Sequence, residues 1–173
     1  MLDELDIQFT VLPKNIDEDF DPKLSPQKVA ECLSEKKALA FSMKELDENV
    51  LIISADTIVT VDDQILGKPA NPLEAKEMLK QLSGRKHEVI TGVTIRTRER
   101  LCSFSALTKV YFKTLTDEEM SYYIQHFRPF DKAGAYGIQE WIGHVAIERI
   151  EGSYFNVMGL PTHMLYEELL NFV

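Results

Sequence analysis

The fold class of this sequence is decided by Val50-Leu51-Ile52-Ile53-Ser54 and the Ala55-Asp56-Thr57 that follows it. A short apolar run of this kind is typical of a buried strand, and here it ends abruptly in polar residues. Asp56 is therefore predicted to lie where a strand meets a polar turn, the usual place for an α/β domain to present a catalytic carboxylate. Asp56 is our first candidate for a metal ligand or general base. The competing interpretation is that its side chain caps the turn.

Strand and helix signals alternate on both sides of this stretch. Ser25 and Pro26 predict the start of an amphipathic helix, and Asp62-Asp63-Gln64 predicts a hairpin turn between short strands at 58–61 and 65–66. Further strands are predicted at 7–12, 87–96, 103–112 and 145–150, and further helices at Asn71, Thr116 and Pro161. The pattern predicts an α/β fold in which residues 1–173 form a single mixed-sheet domain with flanking helices.

The composition narrows the setting of the protein. With 173 residues, 45% of them apolar, the chain can bury a core without disulfides. Cys32 and Cys102 lie far apart, and the acidic start at Met1 lacks the features of a signal peptide, so we expect a reducing cytoplasm. The apolar runs are strand-sized, so we expect no membrane partner.

The net charge restricts the class of ligand. A formal charge of −9 disfavours nucleic acid as a partner, because such binding needs a basic face that displaces counterions. A small anion is still compatible with this charge, since a few cations in one cleft can bind a triphosphate, particularly when a divalent metal shields part of the charge.

A second informative segment, which we call the glycine loop, is Asp131-Lys132-Ala133-Gly134-Ala135-Tyr136-Gly137-Ile138-Gln139. Its glycines permit positive φ and close backbone approach, as a loop around a phosphate or a base requires. The competing interpretation is a tight turn with a surface lysine. Gln139 is a candidate for reading the edge of a pyrimidine, because an amide offers both a donor and an acceptor.

Cations elsewhere in the sequence are candidates for phosphate binding. Lys68 lies between a glycine and a proline, which would hold it in place, although most such lysines are simply solvated. Arg85 follows a helix and can grip phosphate through two bonds, but it could equally complement the helix dipole. Lys37 would lie on the polar side of its helix. His87 is more often structural than catalytic at the start of a strand.

The acidic candidates point to a metal. Glu18 lies in an acidic run that would ordinarily be solvated surface. Hard divalent metals prefer carboxylate oxygens and retain several waters, so Glu18 and Asp56 could share one Mg²⁺ that also contacts substrate phosphates.

Six motifs together resemble the Maf family of nucleoside triphosphate pyrophosphatases. In order they are Ala55-Asp56-Thr57, Gly67-Lys68-Pro69, Leu82-Ser83-Gly84-Arg85, Thr91-Gly92-Val93, the glycine loop, and Gly152-Ser153-Tyr154-Phe155-Asn156-Val157-Met158-Gly159-Leu160-Pro161. The resemblance covers nearly the whole chain, and the glycine loop ending in Gln139 is similar to that of the branch acting on dTTP and UTP.

The resemblance implies a deep nucleotide-binding cleft, a homodimer, and hydrolysis of dTTP or UTP to the monophosphate and pyrophosphate with Mg²⁺, or alternatively Mn²⁺. Asp56 matches the family's proton acceptor, and Glu18 matches an acidic residue of the cleft. By the same matching, Thr57 and Gln139 fall on positions for base selection. The lysines at 37, 68 and 132 fall on positions that face the phosphates.

One departure from the family pattern concerns the N-terminal segment. Family members begin with a strand and a loop of the form Ser-x-Ser-Pro-Arg-Arg before the segment that matches 5–12 here. That motif is not part of this sequence, and we expect a truncated chain or a misplaced start codon. Losing the arginine pair would weaken triphosphate binding. It also keeps open an alternative function, a non-catalytic nucleotide-binding or septum-related regulatory protein.

Overall fold

The computed structural model describes residues 1–42, 44 and 49–172, and a five-stranded sheet lies at its centre. The strands are β1 (Ile52–Val61), β2 (Gln64–Leu66), β3 (Lys86–Arg96), β4 (Leu101–Phe112) and β5 (Ile147–Glu151), in the order β2-β1-β3-β4-β5. The helices are α1 (Pro26–Leu39), α2 (Pro72–Leu82), α3 (Asp117–Phe127), α4 (Trp141–Ala146), α5 (Tyr154–Val157) and α6 (Thr162–Phe172). The α/β class with flanking helices is confirmed, and the pairing is antiparallel at each of the four strand contacts.

The predicted hairpin is present between β1 and β2. Val61 pairs with Gln64, so the turn consists of Asp62 and Asp63, with φ of 48° and 62°. Two consecutive left-handed residues define the turn whose twist matches that of antiparallel strands, and Asp tolerates this conformation. Gln64 belongs to β2 rather than to the turn.

The predicted helix starts are confirmed by their caps. Ser25, Asn71 and Thr116 each accept a hydrogen bond from the backbone N–H three residues further on. Thr116 completes a capping box with Glu119, whose side chain accepts from the Thr116 N–H. These bonds satisfy amides that have no partner within the helix, which explains why the helices begin at these residues.

The turn predicted at Asp56 is wrong. β1 continues through Ala55, Asp56 and Thr57, and Asp56 pairs with Gly92 of β3. The reason is that β3 supplies an unbroken partner from Arg96 to Glu88, so the backbone of the polar residues is satisfied within the sheet. Asp56 thus lies in the middle of a strand and not at its end.

Two other predicted strands need correction. The segment at 7–12 has no regular secondary structure, and among the described residues no strand pairs with it. Val11 is 72% exposed, so this part of the segment is not packed against the sheet as a strand would be. The strand predicted at 145–150 begins only at Ile147, because α4 occupies the residues before it. The final helix is confirmed as α6, with Leu165 and Phe172 buried.

The packing of α1 on the sheet fixes the region that holds most of the candidates. Val29, Ala30 and Leu33 of α1 form a buried cluster with Ile58 and Ile90. A Cβ placed on Gly92 would lie 2.2 Å from the Ala30 carbonyl, so the helix backbone rests directly on β3. The last turn of α1, which carries Lys37, is thereby held beside β1. In the described part of the chain, no helix is both long enough and apolar enough to cross a membrane.

Candidate active site

A cavity of about 290 Å³ lies beside the middle of β1. Six of the residues predicted from sequence line it: Lys37, Asp56, Thr57, Lys68, Lys132 and Gln139. They come from α1, from β1, from the segment after β2 and from the glycine loop, so the fold gathers residues that are far apart in sequence. The remaining lining includes Tyr136, Val157 and Met158, which supply apolar surface.

Asp56 is the most buried charged group of the cavity. Only 9% of Asp56 is exposed, and its Oδ1 accepts a hydrogen bond from the Lys37 ammonium. Glu18 reaches the same ammonium, with its Oε1 3.6 Å from Lys37 Nζ. Two carboxylates therefore converge on one cation.

Burial raises the pKa of Asp56 above its usual value. The hydrogen bond and charge of Lys37 act in the opposite direction, and the nearby charge of Glu18 adds to the rise. A carboxylate whose ionised form is disfavoured has a greater tendency to take up a proton. The environment of Asp56 thus suits a general base.

Lys68 and Glu18 form the outer side of the cavity. Both carboxylate oxygens of Glu18 lie 3.3 Å from Lys68 Nζ, and both side chains are about half exposed. The carbonyl of Gly67 accepts a hydrogen bond of 3.1 Å from the N–H of Gly134, which ties the Lys68 segment to the glycine loop. Glu18 links Lys68 to Lys37, although it comes from an irregular acidic segment.

The two glycines of the glycine loop have different roles. Gly134 has φ of 67°, in the region that favours glycine, and a Cβ there would lie 3.0 Å from Cγ1 of Val59. Gly137 has no positive φ; a Cβ there would instead lie 2.9 Å from Cε of Lys132. Gly137 therefore leaves room for the Lys132 side chain to pass close to the loop backbone. Lys132 Nζ lies 3.0 Å from Oδ1 of Asp131 and 3.3 Å from Oε1 of Glu140.

The hydrogen-bonding role of the Thr57 hydroxyl, as donor or acceptor, is fixed by its neighbours. Thr91 Oγ1 donates its only hydrogen to the carbonyl of Asn156 at 2.9 Å. Because Thr91 and Thr57 also share a hydrogen bond of 2.8 Å, Thr57 must be its donor. The Thr57 oxygen therefore has only lone pairs left, so a ligand in the cavity would find a hydrogen-bond acceptor at this position.

Arg85 does not belong to the group of residues around the cavity. Its guanidinium forms an ion pair with Asp62, at the end of β1, and its Nη1 lies 3.5 Å from the carbonyl of Gln81 in α2. At about 3.3 Å per residue along β1, Asp62 is ~20 Å from Asp56. These contacts favour the interpretation of Arg85 as a partner of the helix end, and Arg85 is not among the residues that line the cavity.

Sequence reasoning missed several residues of the site. Asp131 and Tyr136 line the cavity, and Glu140 binds Lys132, yet none was chosen as a candidate. The charge pair Asp131-Lys132 was a usable signal for Asp131. Tyr123 of α3 hydrogen-bonds Glu140, and no pattern in the sequence could have linked these two residues.

The donor set around Lys37 fits a divalent cation. Among the described residues no group of three or more His, Cys, Asp or Glu side chains forms a metal cluster. The carboxylates of Asp56 and Glu18 nevertheless converge on one position, which the ammonium of Lys37 occupies. Two carboxylates suit Mg²⁺, which takes few protein ligands and completes its coordination with waters and phosphate oxygens.

Comparison with known proteins gives concordant results. The family model described as Maf-like protein matches residues 1–172. A dTTP/UTP pyrophosphatase of Porphyromonas gingivalis is 50% identical over 175 residues, covering 99% of this chain and 87% of the relative. Proteins of the same name from Phocaeicola vulgatus and Flavobacterium johnsoniae are 47% and 45% identical over 98% of this chain, which spans 88% and 87% of their lengths.

Proposed function

Since this chain belongs to the Maf family, we propose that it hydrolyses dTTP and UTP to the nucleoside monophosphate and pyrophosphate in the cavity beside β1. The reaction class follows from the names of the relatives, which are dTTP/UTP pyrophosphatases. The roles of individual residues in this cavity are part of the same proposal.

The observation that carries the proposal is the alternation of charges in the cavity. Lys37, Lys68 and Lys132 are each paired with carboxylates. A triphosphate with a divalent cation supplies partners for both kinds of group, because phosphates can take the place of Asp56 and Glu18 at Lys37 and Lys68 while the cation binds these two carboxylates. A purely cationic pocket would bind phosphate without needing a metal.

Asp56 and Glu18 are the residues that would hold the divalent cation, which we propose to be Mg²⁺ with Mn²⁺ as a substitute. The cation would neutralise charge on the phosphate oxygens during the reaction. A divalent cation is general for this family, and the two carboxylates facing Lys37 support its placement here.

Asp56 is the proposed general base. A water attacks the α-phosphorus, the bond from that phosphorus to the bridging oxygen of the β-phosphate breaks, and pyrophosphate leaves. Asp56 orients the water and takes its proton, for which its raised pKa is favourable. Lys37, Lys68 and Lys132 hold the triphosphate and stabilise the charge that builds up on the leaving pyrophosphate.

Thr57 and Gln139 are the proposed base-selecting residues. Thymine and uracil carry a donor at N3, whereas cytosine carries an acceptor there. The acceptor polarity of Thr57, which its bond to Thr91 imposes, therefore matches thymine and uracil. Gln139 lines the same cavity and can pair with the neighbouring edge of the base through its amide.

The assembly and location are also part of this proposal. We propose a homodimer, which sedimentation velocity would test directly. We further propose a cytoplasmic location, and the free thiols of Cys32 and Cys102 are in keeping with a reducing compartment.

The test is the release of pyrophosphate and monophosphate from dTTP, UTP, CTP and GTP with Mg²⁺. We expect turnover of dTTP and UTP, little turnover of CTP and GTP, and loss of activity with excess EDTA that added Mg²⁺ restores. Nucleotide binding without release of pyrophosphate would instead support the non-catalytic alternative.

A further inference from the structure

A hydrogen-bonded network behind the cavity connects α3 with the glycine loop. At its centre Tyr123 is fully buried, and its hydroxyl donates to Oε2 of Glu140. The same hydroxyl oxygen accepts the N–H of Gly137 at 3.0 Å. One phenol therefore fixes both the backbone of the loop and the carboxylate that follows it.

Glu140 divides its two oxygens between the interior and the cavity. Oε2 binds Tyr123, and Oε1 lies 3.3 Å from the ammonium of Lys132. Glu140 is 20% exposed and Lys132 is 23% exposed, so this pair is better shielded from water than a surface ion pair. The ammonium is also held by Asp131, which is 76% exposed and therefore the looser of the two partners.

Close packing reinforces the placement of Lys132. A Cβ on Gly137 would lie 2.9 Å from Cε of Lys132 and 3.0 Å from Cδ of Glu140, so both side chains pass directly over this glycine. The path of the Lys132 side chain thus depends on Gly137 and Glu140. Tyr123 holds both of them.

The protonation states suit this arrangement. Burial, together with the hydrogen bond to Glu140, raises the pKa of Tyr123, so the phenol stays a donor throughout the neutral range. Burial alone would lower the pKa of Lys132, but the hydrogen bonds and charges of Asp131 and Glu140 outweigh it and raise this pKa. A free lysine side chain loses rotamer freedom when it is fixed on a ligand. A lysine already fixed loses less on binding.

We propose that Tyr123 and Glu140 are positioning residues for the pyrophosphatase reaction. Glu140 orients the Lys132 ammonium toward the triphosphate, and Tyr123 fixes Glu140 and the loop backbone at Gly137. The inference rests on the proposed function, because it is there that Lys132 is assigned to the phosphates.

The kinetic test compares Glu140→Gln and Tyr123→Phe with the parent chain. Glu140→Gln keeps an oxygen for the Tyr123 hydroxyl but removes the charge that holds Lys132. We expect the KM for dTTP and the inhibition constant of pyrophosphate to rise about tenfold in Glu140→Gln and somewhat less in Tyr123→Phe, with a smaller change in kcat.

The matched control is Tyr122→Phe, since Tyr122 is 45% exposed and lies next to Tyr123 in sequence. We expect Tyr122→Phe to leave both constants unchanged.

A double-mutant cycle separates positioning from a general loss of stability. If Glu140 acts through Lys132, Glu140→Gln should have no further effect on KM in a Lys132→Met background. Equal effects in both backgrounds would show that Glu140 has only a structural role and would overturn the proposal.

A titration provides a readout that needs no turnover. The ε-methylene carbon resonance of Lys132, assigned by its loss in Lys132→Met, reports the pKa of this ammonium by NMR. We expect Glu140→Gln to lower that pKa, and an unchanged value would contradict the coupling. A parent chain that releases no pyrophosphate overturns the proposed function instead, and the titration still decides whether Glu140 holds Lys132.

Discussion

At the scale of single residues, the proposed general base Asp56 is a buried carboxylate that lowers the stability of the fold. Its pKa is raised mainly by burial, so the folded state disfavours the ionised form. Between the ordinary value of 3.8 and the raised pKa, the folded chain binds more protons than the unfolded chain, and stability falls as pH rises through this window. At neutral pH the ionised Asp56 therefore lowers the stability of the fold. The proposed role as a general base explains why a carboxylate is kept at this position, whereas a structural role does not.

Replacing Asp56 by Asn tests this reasoning. The variant keeps the shape of the side chain but removes the proton acceptor and the buried charge. We expect pyrophosphate release to fall by about 10²- to 10⁴-fold, while the melting temperature at pH 7 stays equal or rises. Both are measurable, by a phosphate-coupled assay and by calorimetry.

The matched control for Asp56→Asn is Asp62→Asn. Asp62 lies on the β1–β2 turn, is 73% exposed and has a left-handed backbone that Asn adopts readily. This variant should keep its activity. Full activity in Asp56→Asn would remove Asp56 from the mechanism, whereas a marked drop in its melting temperature would contradict the stability argument.

Thr57 leads to a prediction about base selection. Thr57→Val keeps the branched shape but removes the oxygen that is proposed to accept a hydrogen bond from N3–H of the base. We expect kcat/KM for dTTP and UTP to fall about tenfold and that for CTP to stay unchanged. The preference for dTTP and UTP over CTP should therefore become smaller. Thr57→Ser retains the oxygen and should keep the preference. If Thr57→Val still prefers UTP over CTP as strongly as the parent chain, selection lies elsewhere, for example at Gln139.

The sequence predicted the chemical groups of the site better than their connections. The lysines, Asp56, Thr57 and Gln139 all reach one cavity because their types and motifs carry a chemical signal. Arg85 has the same signal but binds Asp62, because residue type alone does not tell where in the fold a side chain lies. Glu140 and Tyr123 were missed since their roles arise from tertiary packing between α3 and the loop.

At the scale of elements, the contact of α1 with β3 makes Gly92 a sensitive position. A methyl group there would meet the Ala30 carbonyl at 2.2 Å, and backbone cannot yield as a side chain can. We expect Gly92→Ala to cost about 1–3 kcal/mol of unfolding free energy. Since α1 carries Lys37, its displacement should also raise the KM for dTTP. Denaturant unfolding and steady-state kinetics on the same preparation measure both effects.

Gly67→Ala is the matched control for Gly92→Ala. An added Cβ at Gly67 meets nothing within 4 Å, and its φ is not in the left-handed region. The substitution also retains the Gly67 carbonyl that binds the N–H of Gly134. Its unfolding free energy should match that of the parent chain or slightly exceed it. Equal losses at both glycines would indicate that the close contact at Gly92 is not what constrains α1.

The elements that the sequence predicted correctly are those with local signals. The caps at Asn71 and Thr116 act within one turn of helix, so the pattern alone defines them. The predicted strand at 7–12 failed because a strand needs a partner, and no strand of the described residues lies beside that segment. The extension of β1 through Asp56 likewise depends on pairing with β3, which no local pattern contains.

At the scale of the whole molecule, His87 connects the sheet to the glycine loop through the core. His87 is 1% exposed, and its Nε2 shares a hydrogen bond of 2.8 Å with the hydroxyl of Tyr136. Phe112 and Tyr136 pack edge-on against its ring, and its Nδ1 is buried without a hydrogen-bond partner among the described residues. Burial disfavours a positive charge on this ring and lowers the pKa of His87 from 6.5 to about 3.

The depressed pKa of His87 predicts how the fold responds to acid. Because the unfolded chain binds a proton at His87 more readily, stability falls as pH decreases from 6.5 toward about 3. The slope from this group is about 1.4 kcal/mol per pH unit. Asp56 acts oppositely, since its raised pKa favours the folded state as pH falls, so the measurement must isolate His87 by difference.

We expect His87→Gln, which can still hydrogen-bond Tyr136, to reduce the pH dependence of the unfolding free energy between pH 6 and 4 by about one proton. His144→Gln, at an exposed histidine of α4, should leave it unchanged. Parallel curves for the parent chain and His87→Gln would mean that His87 is protonated in the folded protein, and the core around Tyr136 would then have to accommodate a charge.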